Sequence, residues 1–359
     1  MKHLVIMAAG TGGHIFPGLA IAQTMRSRGW TVSWLGTEQG MEKEIVAGKG
    51  IEMDAINFSG VRGRGLIHSF VGVFRLLAGF VSCMKIFNRR NPNIVLGMGG
   101  YVTVPGGWAA KRHEIPLVLI NADAALLLSN KALVSSAKKI LFGFHGDFGA
   151  ASAKAEVTGN PVRREILSVP SPEERFRGRK GPLRIFVVGG SLGARVLNET
   201  LPRALSLIPK DKRPIVVHQS GKQHIEDLQA RYETASVNAE VLDFVEDMDR
   251  RYAEADLVIC RAGAITVSEL TVAGVASVLV PLVVSSTSHQ KFNAQLMANN
   301  KAAIHMPQEN FNPERLAHLL INMTRTRCFE MAMAARQLGQ RHANDRIADV
   351  LESLSDSDG

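Results

Sequence analysis

The chain is poor in cysteine. Its 359 residues contain three, Cys83, Cys260 and Cys328, with no Cys-x-x-Cys pair and no Cys/His ligand spacing. A disulfide framework and a zinc module are therefore excluded as organising devices. Aromatic residues make up 6% and are not interleaved along a basic stripe. The net charge of +9, from 42 Lys+Arg against 33 Asp+Glu, thus predicts anionic partners but no nucleic-acid-binding motif. The Walker pattern Gly-x-x-x-x-Gly-Lys-Ser/Thr is absent. Gly-x-Gly-x-x-Gly counted from Gly10 fails at Ile15, and Glu38 is the only acidic candidate for a ribose after the second strand. A P-loop ATPase and a nicotinamide dehydrogenase are both poor fits. Met1-Lys2-His3-Leu4 runs straight into a strand without a signal-peptide pattern, so the expectation is a cytoplasmic protein with free thiols.

What the chain does have is hydrophobic content (46%) and glycine (33 residues) in a particular place. Two glycine-rich turns, about 180 residues apart, each follow a short apolar strand: Gly10-Thr11-Gly12-Gly13-His14 after Leu4–Ala8, and Gly189-Gly190-Ser191-Leu192-Gly193 after Ile185–Val188. Helices are expected to follow, over Pro17–Arg28 and Leu197–Leu207. Further strands are expected at Val32–Leu35, Ile94–Leu96, Leu117–Ile120, Lys139–Phe142, Ile215–Gln219, Val241–Phe244, Leu257–Cys260 and Ser277–Val280. Strands alternating with helices predict parallel sheets in an α/β fold, and 359 residues suffice for two cores. Two Rossmann-like domains facing across a cleft are the predicted architecture, without a sequence repeat between them. Val169–Pro182, rich in proline and charge, reads as the linker. Cys328–Leu354 reads as one long C-terminal helix.

A strand–glycine–helix turn aims unpaired N–H groups and a positive helix end at one spot, which suits phosphate. At such a helix start His14 is held towards the neutral form and is a candidate base; a capping or packing histidine is the equal alternative. Cys260-Arg261-Ala262-Gly263 followed by Ala264–Thr266 offers amides for a diphosphate. Glu269, one turn on, suits ribose hydroxyls or simply the helix dipole. Gln290 and Asn293 share a helix face and suit sugar hydroxyls or solvent. Gly97–Tyr101 is another glycine turn after a strand, and Arg163 can pair with an anion or serve as a structural arginine between domains. Leu66–Phe87 is an apolar stretch of 22 residues interrupted by Arg75 and Lys85 and flanked by Arg62, Arg64, Arg89 and Arg90. It predicts a helix lying on an anionic membrane surface, half buried in the fold, rather than a span, with a fully buried domain helix as the alternative.

Taken in order, GTGGHIFPGLA (10–20), WLGT (34–37), GVRGRG (60–65), VLGMGGYVTVPGG (95–107), GNPVR (159–163), VVGGSLGARVLN (187–198), HQSGK (218–222), FVEDM (244–248), RAGAITVSEL (261–270) and HQKFNA (289–294) resemble the MurG family. These are inverting glycosyltransferases that add N-acetylglucosamine (GlcNAc) to lipid I to form lipid II in peptidoglycan synthesis. The resemblance implies a GT-B fold. An N-terminal acceptor- and membrane-binding domain would span 1–162 plus a helix near 341–354. A C-terminal UDP-GlcNAc-binding domain would span 163–340. It implies that Ser191 and the Ala264, Ile265 and Thr266 amides hold the donor diphosphate, with Val267 and Ser268 in the same turn. Phe244 and Val245 would border the uracil, Glu269 the ribose, and Gln290 the sugar, with Arg163 ordering the donor site. Thr11, Gly12 and Gly13 would face the acceptor diphosphate and the donor sugar, and His14 would be the base. No metal or cofactor is required. Arg64, Val71, Phe74, Arg75, Leu77 and Lys85 would contact the membrane. The expected location is the cytoplasmic face of the bacterial inner membrane, as a peripheral protein, with cell-wall synthesis and division proteins as partners.

One segment departs from the family. Where it usually has His-Glu-Gln-Asn, this chain has Ile120-Asn121-Ala122-Asp123. Asp123 replaces the asparagine that approaches the GlcNAc ring, and a carboxylate accepts hydrogen bonds but cannot donate them. Two other readings share the donor: a UDP-sugar 2-epimerase, which would not need the apolar stretch, and a non-catalytic UDP-sugar or lipid-carrier binding protein.

Overall fold

The computed structural model describes residues 1–57, 66–146, 148–190, 192–282 and 289–356, for residues 66–71 and 73 the backbone alone. The chain divides into two compact units, 1–163 with 342–359, and 164–341. Among the described residues the first holds seven parallel strands: β1 (His3–Ala8), β2 (Thr31–Thr37), β3 (Glu52–Ile56), β4 (Ile94–Gly99), β5 (Leu117–Asn121), β6 (Lys139–Phe142) and β7 (Ala155–Val157), in the order β3-β2-β1-β4-β5-β6-β7. The second holds six: β8 (Arg184–Val188), β9 (Ile215–Gln219), β10 (Glu240–Leu242), β11 (Leu257–Cys260), β12 (Ser277–Leu279) and β13 (Ala303–His305), in the order β10-β9-β8-β11-β12-β13. Every pairing is parallel. The central strands β4, β5 and β11 are buried at every position, because helices cover both faces of such a sheet. In each unit the order reverses beside the first strand, between β1 and β4 and between β8 and β11. That is where open α/β sheets bind ligands, at the strands' carboxyl ends.

The sequence-based expectations need three corrections. Val169–Pro182 is not an open linker. Ser171 and Glu174 form a capping box on the helix Pro172–Phe176. Arg175 is buried there, with its guanidinium donating to the carbonyls of Tyr252 (3.0 Å), Ala273 (3.3 Å) and Gly274. The C-terminal helix is two helices, Arg325–Leu338 and Ala343–Asp356, belonging to different units. The second is tied to the first unit by Asn344, which exchanges hydrogen bonds with the backbone of Val162 at 3.0 and 2.8 Å, and by Arg28, which pairs with Asp345, Asp349 and Glu352. The first helix begins at Gly12 rather than Pro17. Proline lacks only the N–H that would bond back to Gly13, a loss tolerated near a helix start.

Candidate functional site

In the first unit the switch point is built from three turns. Gly10 leaves β1 at φ +101°, a conformation suited to glycine. Thr11 then caps the helix Gly12–Ser27 with extended backbone and without a side-chain bond. The carbonyl of Thr11 takes the amides of His14 and Ile15. The amides of Gly12 and Gly13 begin the helix, where no intrahelical acceptor exists, and Gly13 is exposed. Beside them Gly99 and Gly100 leave β4 at φ +110° and +85°. A Cβ on Gly99 would stand 2.8 and 2.9 Å from Cδ2 and Nε2 of His14, and one on Gly100 would collide with the carbonyl of Ala9. The glycines of the 97–101 run therefore admit the imidazole and let the β4 turn cross β1.

His14 is half-buried, and its Nδ1 is enclosed with no hydrogen-bond partner meeting full geometry. Burial lowers its pKa below 6.5, opposed by the Ala9 backbone and by the Asp123 carboxylate. The ring is thus biased towards the neutral, proton-accepting form. Arg163 lies with its guanidinium 5.0 Å from the Phe16 ring centroid, two residues past His14. Glu42 is a residue the sequence reasoning missed. Fully buried, it accepts from the amides of Gly10 (3.3 Å) and Thr37 (2.9 Å) and from the Thr37 hydroxyl (2.6 Å), pinning the phosphate-type turn to the end of β2. Gly36 and Gly40, six and two residues before it, leave it room, and that pair of glycines ahead of an acidic residue was the available signal. A cavity of about 180 Å³ lined by Gly10, Thr37, Gly40, Ile56 and Tyr101 opens beside this turn.

In the second unit the turn after β8 is clasped by the HQSGK segment. Gln219 accepts from the Gly189 amide at 3.2 Å, and Asn198 donates to the Ser220 carbonyl at 3.0 Å. Gly193 and Gly221, at φ +76° and +90°, pass so closely that a Cβ on either would meet the other loop's backbone. Ser191 lies outside the described residues. After β11, Gly263 caps the helix Ala264–Ala273 in extended conformation, with no acidic residue in the first turn. Ala264, Ile265 and Thr266 present the helix-start amides. Val267 is not brought to that surface: it is fully buried and its amide bonds to the Gly263 carbonyl. Ser268 is buried and donates to the Ala264 carbonyl at 2.9 Å. Glu269 is buried and accepts from the Tyr252 hydroxyl at 3.5 Å.

Phe244, half-buried, and Val245, buried, follow β10. Gln290 faces back to the β12 turn, its Oε1 accepting from the Leu282 amide at 2.9 Å. Asn293 is buried and donates to the Ala262 carbonyl at 3.0 Å, so it shapes the turn before Ala264 rather than facing a sugar. Every one of these second-unit groups follows the carboxyl end of a strand, and the strands are adjacent. The first-unit groups, Thr11 to His14, Asp123 and Arg163, gather likewise at their own sheet's carboxyl edge. Among the described residues no group of three or more His, Cys, Asp or Glu side chains could hold a metal ion.

The helix Leu66–Arg90 carries the apolar stretch. Phe74, Leu77 and Val81 are 72%, 56% and 51% exposed. They fall at i, i+3 and i+7, one stripe of the helix, while Cys83, Ile86 and Phe87 are buried on its other side. Arg75 and Lys85 are exposed. Val81 extends the stripe beyond the residues expected from sequence; Arg64 and the side chain of Val71 lie outside the described residues. No helix of the described residues is long and apolar enough to cross a membrane.

The glycosyltransferase family 28 N-terminal domain matches residues 4–142 and its C-terminal domain residues 184–351. The chain is 64% identical, over 99% of both chains, to a UDP-N-acetylglucosamine–N-acetylmuramyl-(pentapeptide) pyrophosphoryl-undecaprenol N-acetylglucosamine transferase of Janthinobacterium sp. (strain Marseille), and equally to that of Herminiimonas arsenicoxydans. The crystal structure of Acinetobacter baumannii MurG superposes with a TM-score of 0.81 at 38% identity, covering 98% of this chain and all of that one. A UDP-GlcNAc 2-epimerase from Neisseria meningitidis reaches 0.64 at 14% identity over 98% of this chain and all of that one, a likeness of fold alone. The sequence, its two α/β units and these relatives agree: the chain belongs to the MurG family of GT-B glycosyltransferases.

Proposed function

We propose that this protein transfers GlcNAc from UDP-GlcNAc to the C4 hydroxyl of the muramoyl sugar of lipid I, forming lipid II with inversion at the anomeric carbon. The observation that carries this reading is 64% identity along 99% of the chain to transferases named for that reaction. The chemistry of the two switch points supports it. Neutral His14 takes the hydroxyl proton as the oxygen bonds to the anomeric carbon. The bond from that carbon to the diphosphate oxygen breaks, and its electron pair leaves with UDP. The amides of Ala264, Ile265 and Thr266 and the positive helix end receive the developing charge, and Ser191 is assigned to the same diphosphate. Phe244 and Val245 border the uracil, Glu269 takes the ribose hydroxyls, Gln290 the sugar, and Arg163 orders the donor. The amides of Thr11, Gly12 and Gly13 serve the acceptor diphosphate. No metal enters this scheme.

The exposed stripe Phe74, Leu77 and Val81, bracketed by Arg75 and Lys85, supports peripheral contact with an anionic membrane surface. Such contact brings the enzyme to a lipid-borne acceptor on the cytoplasmic face. The decisive experiment follows UDP release from UDP-GlcNAc with and without a lipid I analogue. Release is expected only with the acceptor, alongside a disaccharide product. Epimerised sugar without acceptor, or equal hydrolysis in water, overturns the transferase reading.

A further inference from the structure

The turn after β5 is fixed more firmly than a loop of its length requires. Asn121, fully buried, donates through Nδ2 to the carbonyls of Asp123 (2.7 Å) and Ala125 (3.0 Å). Its Oδ1 accepts from the Leu127 amide (2.9 Å) and from Asn130 Nδ2 (3.0 Å). From the far side Asn160 donates to the Ala122 carbonyl at 2.9 Å. Gly143 and Gly146 make room, since a Cβ on the first would strike Asn160 and one on the second would stand 2.6 Å from the Ala124 carbonyl. Asp123 is thus held at the end of β5, next to β4, whose Gly99 abuts the His14 ring. Among the described residues, three other charged or titratable groups of this edge can be placed. The Glu42 carboxylate serves Gly10 and Thr37, Arg163 lies over Phe16, and Tyr101 borders Gly10. The field of the Asp123 carboxylate reaches His14 and favours its protonated form.

We infer that Asp123 is a positioning residue for His14: its carboxylate stabilises the imidazolium formed when His14 accepts the acceptor's proton, acting through space rather than by contact with the sugar. This rests on His14 being the base proposed above. It also gives a role to the departure at Ile120–Asp123, where Asn121 holds the turn and Asp123 supplies the charge.

The test is Asp123→Asn, equal in shape and neutral, in the full chain. The His14 titration is followed by NMR with labelled histidine, assigned by His14→Gln. Losing the negative charge is expected to lower the His14 midpoint by about 0.5 in pH or more. The acid limb of kcat/KM should move down by the same amount. At alkaline pH kcat should fall about two- to threefold, the most that a base weaker by about 0.5 in pH requires, with KM for UDP-GlcNAc within about twofold of the parent. Asp123→Glu, which keeps the charge, should retain the parent midpoint. An unmoved midpoint overturns the proposal, and an unmoved midpoint with a raised KM for UDP-GlcNAc makes Asp123 a sugar contact instead. If the midpoint moves but the acid limb does not follow, His14 is not the base, and both readings fall for that separate reason.

Discussion

The two units share a strand order and place a glycine turn at the same switch point, yet the helix starts beside those turns differ in chemistry. In the first unit the turn is pinned by a buried carboxylate, Glu42, and the first helical turn carries His14, whose ring fits against Gly99. In the second, the helix start after β11, the strand beside β8, carries no titratable side chain at Ala264, and Ser268 bonds back to its own helix. The carboxylate there, Glu269, sits a turn deeper against Tyr252. One fold has thus been given a proton acceptor in one copy and a cradle of amides in the other. Function follows the side chains at the switch point, and not the sheet that positions them.

That contrast can be broken by substitution. The largest effect is expected at His14: His14→Ala should lower kcat by about 10²-fold or more, read by UDP release under saturating substrates. Glu269→Ala should act on the other side, raising KM for UDP-GlcNAc by about tenfold to a hundredfold, the worth of a hydrogen bond to a charged group, with a smaller change in kcat. Glu42→Ala leaves the amides of Gly10 and Thr37 without their acceptor. It should cost about 1–3 kcal/mol of stability, measured by denaturant unfolding against the parent chain. The smallest effect on chemistry is expected at the exposed stripe. Phe74→Ser with Leu77→Ser should weaken sedimentation with anionic vesicles while leaving turnover of a water-soluble acceptor within about twofold. Equal loss of both would make these residues part of the core.

How much of this was legible in the chain divides along physical lines. Strands buried on both faces, such as Leu117–Asn121 and Leu257–Cys260, announce themselves as apolar runs. The three strands that escaped notice, Glu52–Ile56, Ala155–Val157 and Ala303–His305, all lie at sheet edges. They are partly exposed and mix polar with apolar residues, so no period marks them. The glycine turns were visible because a positive φ selects glycine. The role of Glu42 was not, because its partner Gly10 lies 32 residues away and only the β1–β2 pairing brings them together. The proline and charge of Val169–Pro182 masked a capping box whose Ser-x-x-Glu spacing was present all along. Asn293 shows the reverse error, since an amide on a promising helix face is tied to the Ala262 carbonyl.

The division of labour between the two units is tested most directly by titrating UDP into the parent chain, His14→Ala and Glu269→Ala by calorimetry. The dissociation constant for His14→Ala is expected to stay within about twofold of the parent, and that for Glu269→Ala to weaken about tenfold or more. Equal weakening in both variants, or a loss confined to His14→Ala, would contradict it.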